Sequence, residues 1–70
     1  MDRQPVKSPN IASIGYDPST STLEVEFNSG NIYQYSNVPE MIFHSLINSE
    51  SVGKSFNSQV KGKFEYMEVS

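Results

Sequence analysis

The residues whose order and spacing carry the most chemical character lie in "SVGKSFN", residues 51–57, where Gly53-Lys54-Ser55 has the order that closes a phosphate-binding loop. A loop of the nucleotide-hydrolase type also needs a glycine about five residues earlier, so that backbone N–H groups wrap the phosphates between a strand and a helix. That position is Asn48, and the preceding "PEMIFHSLINSE" spaces its apolar residues as a helix does. A Walker-type ATPase is therefore excluded. A simpler anion site remains, with Ser51 capping a short helix, Gly53 permitting close backbone approach, Lys54 supplying charge, and Ser55 and Asn57 adding polar groups. The structural reading of the same residues has Ser51 as cap, Gly53 relieving a clash against a sheet and Asn57 tying a neighbouring loop, and both readings can hold together.

Charge distribution supports attention to this segment. The net charge is −3, which argues against a strongly electrostatic nucleic-acid binder, because affinity for a phosphate backbone comes largely from Lys and Arg. Yet residues 51–63 hold three of the five basic residues, Lys54, Lys61 and Lys63, and none of the eight acids, so a local basic patch on an acidic body is expected. Four tyrosines, Tyr16, Tyr33, Tyr35 and Tyr66, add amphipathic rings on which bases stack when the rings are exposed beside positive charge. In a chain without Trp the same rings, with Phe27, Phe43, Phe56 and Phe64, also fill the core, leaving one or two for a ligand.

Other chemistry finds little support. His44 is the only histidine and has no second ligand or placed acid, so it reads as a surface or half-buried structural residue. Glu24 and Glu26 share a strand face, where a solvated pair is the commoner outcome than a cation site. There is no cysteine, hence no disulfide staple and no thiol nucleophile. We expect no catalytic residue, no metal site and no cofactor. No apolar run approaches a membrane span and the first ten residues lack a signal-peptide core, so the expectation is a soluble, cytoplasmic protein.

The elements that must position these residues follow from periodicity. Residues 1–9, with two prolines, read as a flexible N-terminal arm, and residues 10–70 as a single domain. "IASIGYD" places Ala12, Ile14 and Tyr16 on one strand face, and Asp17-Pro18-Ser19-Thr20 makes a turn. "TLEVEF" alternates Leu23, Val25 and Phe27 against Thr22, Glu24 and Glu26, and after Asn28-Ser29-Gly30 a third strand, "NIYQYS", turns Tyr33 and Tyr35 toward the core. Pro39 opens a helix with Ile42, Phe43, Leu46 and Ile47 as its apolar stripe, and Ser51 opens a second through about Val60, burying Val52, Phe56 and Val60. Gly62 ends it, leaving residues 64–68 as a short final edge strand. The predicted class is α+β: a three-stranded antiparallel β-meander followed by two short helices. A single core of this size contributes only about 3–5 kcal/mol, which makes oligomerisation a live alternative.

"IGYD", the spacing "LEVEF.SG..Y.Y..VP" and "S.G..FN..VK" together resemble the KTSC domain, a small family found free-standing and at the C-terminus of some bacterial lysyl-tRNA synthetases, over roughly residues 11–66. The resemblance implies a small meander-plus-helix fold and suggests RNA binding through the synthetase fusion. Members of that family are richer in Arg around the third strand and the C-terminal helix, whereas this chain has Asn31, Gln34 and Gln59 in that neighbourhood and no Arg beyond Arg3, so a backbone contact would rest on three lysines. The expected function is a non-catalytic binding module for a phosphate-bearing ligand, RNA or a small nucleotide, held by Ser51, Gly53, Lys54, Ser55, Asn57, Lys61 and Lys63 with Tyr33 and Tyr35. On this expectation rising salt weakens binding steeply. The alternative is a protein-interaction or homo-oligomeric module, one that inhibits a host protein or sequesters a signalling nucleotide between subunits.

Overall fold

In a computed structural model, which describes residues 1–69, the alternation of "TLEVEF" becomes the middle strand of an antiparallel sheet. Leu23 and Val25 are fully buried on one face, and their cross-strand partners Tyr16, Ile14, Tyr35 and Tyr33 share that face. The strands β1 (Arg3–Pro5), β2 (Ile11–Asp17), β3 (Thr22–Phe27), β4 (Ile32–Tyr35) and β5 (Tyr66–Glu68) lie side by side in the order β1-β2-β3-β4-β5. Between β4 and β5 the chain leaves the sheet to form α1 (Glu40–Ile47) and α2 (Val52–Gln59).

The α+β class with two helices and an antiparallel sheet holds, but the sheet has five strands where three were expected. The final strand predicted over residues 64–68 forms as β5, paired with β4 through Tyr35 and Tyr66. The other addition lies in the segment read as a flexible arm, where β1 pairs with β2 through Arg3 and Gly15, Gln4 and Ile14, and Pro5 and Ser13. Gly15 makes this pairing feasible, since a Cβ there would stand 2.4 Å from the Asp2 carbonyl oxygen and 3.0 Å from the Arg3 Cγ. Proline is tolerated because β1 is an edge.

A second departure concerns Ala12. The β2–β3 register shifts between Ile11 and Ser13, a bulge that brings Ile11 to 1% exposure and leaves Ala12 half-buried, so Ile11 and not Ala12 takes the core position ahead of Ile14. The helices cover the core face with the residues their spacing selected. Leu46 of α1 and Val52, Phe56 and Val60 along α2 are buried, with Ile42 and Phe43 packed at the margin. Tyr16 stacks on Phe43 at 5.5 Å and donates its hydroxyl to the Val38 carbonyl at 2.5 Å, fastening β2 to the entry of α1. Gly62 ends the α2 region at φ +77°, in the left-handed conformation that favours glycine. Among the described residues no helix is long and apolar enough to cross a membrane.

Candidate functional site

The opposite face of the sheet was expected to be a solvated acidic strip. Instead Glu24 is 6% exposed. Arg3, Gly15 and Glu24 are register partners across three strands, and the missing side chain at Gly15 opens the path along which Arg3 reaches the Glu24 carboxylate. Arg3 Nε also donates to Ser13 Oγ at 3.0 Å, Ser13 donates to Glu26 at 2.8 Å, and Gln34 Nε2 donates to the second Glu24 oxygen at 2.8 Å. This network is closed on itself. Each Glu24 oxygen thereby receives one donor, and the network ties β1 to β2 and β3.

The core side of the sheet opens into a cleft of about 960 Å³ between α2 and the end of the sheet where β2 begins and β3 ends. Its wall is a run of aromatic rings. Tyr33 meets Phe27 edge-on at 5.5 Å and stacks on Tyr66 at 5.4 Å with 14° between the planes, while Tyr35 meets Phe56 edge-on at 5.5 Å. Period-two alternation puts Tyr33 and Tyr35 on one face of β4, and the β4–β5 register sets Tyr66 beside them. Burial, with Tyr66 and Tyr33 close by, pushes the Tyr35 hydroxyl up to about 12.

Loops complete the rim. The turn after β3 places Gly30 at φ +98°, and its amide donates to the Phe27 carbonyl at 2.9 Å. Asn28 donates through its backbone to Asn10 at 2.8 Å and through its side chain to the Ser8 and Pro9 carbonyls at 3.1 and 2.9 Å. The segment leading into β2 is thereby locked to the β3–β4 turn, holding Asn10 near Asn31, and Asn57 of α2 lines the same cleft. Lys61 is the one charged residue lining the cleft among the described residues.

Of the residues singled out from sequence, Tyr33, Tyr35, Gly53, Asn57 and Lys61 line this cleft, whereas Ser51, Lys54, Ser55 and Lys63 do not. Ser51 occupies the N-cap position of α2 but its side chain makes no cap hydrogen bond. The turn is organised by Ser49 instead. Its hydroxyl accepts from the Ser51 amide at 3.1 Å, donates to the Ser51 carbonyl at 3.0 Å and pairs with Ser55 Oγ at 2.6 Å. Gly53 lies close not to the sheet, as expected, but to the loop between β1 and β2, with Ser8 Oγ 3.3 Å from where its Cβ would be. His44 pairs with Glu40 at 3.3 Å on the exposed side of α1.

Phe27, Asn28, Asn10, Asn31 and Tyr66 were not assigned to the site from sequence. Phe27 carried only a core signal and the asparagines only a turn signal, while Tyr66 was one ring among four. No local pattern shows that three separate loops meet.

The chain belongs to the KTSC domain family, whose pattern it matches over residues 7–64. It is similar to a KTSC domain protein of Yersinia pestis known from a crystal structure, with a TM-score of 0.95 and 40% identity, covering 99% of this chain and 97% of that one. An uncharacterised protein of Stutzerimonas stutzeri is 41% identical over 61 residues, which span 87% of this chain and 86% of that protein. A lysine–tRNA ligase of Nostoc punctiforme is 40% identical over 60 residues, 86% of this chain but only 11% of the ligase.

Proposed function

We propose that this protein is a non-catalytic binding module for a phosphate-bearing ligand, a single-stranded RNA or a small nucleotide, seated in the aromatic cleft. The observation that carries the reading is the meeting of three tyrosines, Tyr33, Tyr35 and Tyr66, with Lys61 at one opening that no acidic residue lines among the described residues. Aromatic rings beside a cation are the elements with which single-stranded nucleic acids and nucleotides are held. The similarity to part of a lysine–tRNA ligase is consistent with an RNA ligand without identifying one. Fluorescence anisotropy with a labelled single-stranded RNA and calorimetry with AMP test the reading. Lys61→Ala is expected to weaken binding at least about fivefold, and Lys54→Ala to leave it nearly unchanged. Unaltered affinity in the Lys54→Ala/Lys61→Ala double variant would sink the proposal.

A second reading is favoured by β5, the outer strand next to β4. Met67 within it is 61% exposed and Val69 just beyond it 45%, beside an edge open to strand pairing with a second copy. Native mass spectrometry of the wild-type chain and of Met67→Glu reads this directly, since a dimer lost in the variant supports edge pairing and a wild-type monomer removes it. Tyr66 sits on the same strand, so the two readings share an element.

A further inference from the structure

We infer that the cleft is a nucleobase site, in which the open face of Tyr66 is the stacking platform, Asn31 and Asn57 meet the edge of the base, and Lys61 holds a single phosphate. The inference rests on the phosphate-ligand reading above and deepens it by assigning recognition to the base itself and to named residues. Tyr66 combines two properties that do not ordinarily go together. It is 62% exposed, yet its ring is stacked on Tyr33 at 5.4 Å and tilted against Tyr35 at 5.5 Å, and its backbone is paired with β4. One side of the ring is therefore covered by protein while much of its surface remains open. A flat heteroaromatic ring laid on that surface continues the stack at no ordering cost to the protein.

The polar rim favours a base over a bare anion. The side-chain amides of Asn31 and Asn57 are exposed and have no hydrogen-bond partner among the described residues, in contrast to Asn28, whose amide is engaged by the Ser8 and Pro9 carbonyls. A carboxamide offers donors and an acceptor together, which matches the mixed edge of a base, whereas a phosphate uses donors only. With Lys61 as the only lining cation among the described residues, the cleft suits one phosphate group, that of a nucleoside monophosphate or of one nucleotide in a strand, and not a polyphosphate.

The test compares ligands that differ only in the base: AMP against ribose 5-phosphate by calorimetry, and a six-adenosine RNA against its fully abasic counterpart by anisotropy. The wild-type chain is expected to bind the base-bearing member of each pair about 5- to 150-fold more tightly. Tyr66→Leu is expected to erase that difference while leaving the affinity for ribose 5-phosphate unchanged, and Tyr66→Phe to retain it. Asn57→Ala, at an exposed helix position where alanine is well tolerated, should reduce the AMP preference without altering the fold by circular dichroism. Equal binding within both pairs overturns the inference and leaves the phosphate-ligand reading standing. A preference that survives Tyr66→Leu overturns the platform role, and absence of binding by all four probes overturns the inference together with the reading on which it rests.

Discussion

Glu24 receives hydrogen bonds from Gln34 and Arg3 in a position almost closed to solvent. Burial alone would raise its pKa, but the hydrogen bonds from Gln34 and Arg3, reinforced by the Arg3 charge, outweigh burial and hold the carboxyl below its ordinary 4.5. Because the folded-state pKa is the depressed one, the stabilisation is present above pH 4.5 and is lost as pH falls through the lower folded value. Glu24→Gln is therefore expected to be less stable than wild type at neutral pH by about 1–3 kcal/mol. That deficit should shrink as urea midpoints are taken progressively below pH 4.5. Tyr35 behaves in the opposite sense. Its hydroxyl, at about 12, stays protonated where an unfolded tyrosine at 10.0 ionises, so stability should fall as pH rises through that interval. An ultraviolet titration of the folded protein should show a late-ionising component that Tyr35→Phe removes. Alternation turned Tyr35 toward the core as the sequence predicts, but the closed environment of Glu24 was not legible there. Alternation put Glu24 on the outer face correctly, but its cationic partner lies 21 residues away in a segment with no strand signal of its own.

At the scale of elements, β1 depends on the strand beside it more than on its own composition. Three residues ending in proline have little intrinsic tendency to pair, and what recruits them is the vacant space over Gly15 and the carboxylate beyond it. Gly15→Ala is thus expected to dislodge β1 and to cost about 1–3 kcal/mol. Hydrogen exchange should lose protection at the amides joining β1 to β2, while α2 keeps its own. The helices present the contrary case. Val52, Phe56 and Val60 recur at four-residue spacing, and their burial to 5%, 4% and 0% needs only a face to lie on. The hairpin turn at Gly30 was equally readable, because the chain there must adopt a positive φ.

For the whole molecule, charge sets how a phosphate ligand would respond to salt. The chain carries a net −3, and of the three lysines clustered between residues 51 and 63 the fold brings only Lys61 to the cleft. A binding isotherm repeated across salt concentrations should therefore show a shallow dependence, with a log–log slope near about −0.7 for one phosphate contact in a single strand, where three lysines acting together would give about −2. A slope of the larger size would mean that Lys54 and Lys63 join the contact and that the ligand extends beyond the cleft. The sequence by itself determined the α+β class, the three central strands, both helices and the face each presents, because side-chain periodicity and turn chemistry act over a few residues. It also placed Tyr33, Tyr35, Gly53, Asn57 and Lys61 among the site candidates. Only the tertiary structure decided that residues 3–5 form a strand, that Glu24 is buried, and that Asn10, Asn31, Asn57, Tyr66 and Lys61 meet at one opening. Each of those outcomes depends on strand register and on contacts between distant segments, and a local pattern carries no information about which distant partner will arrive.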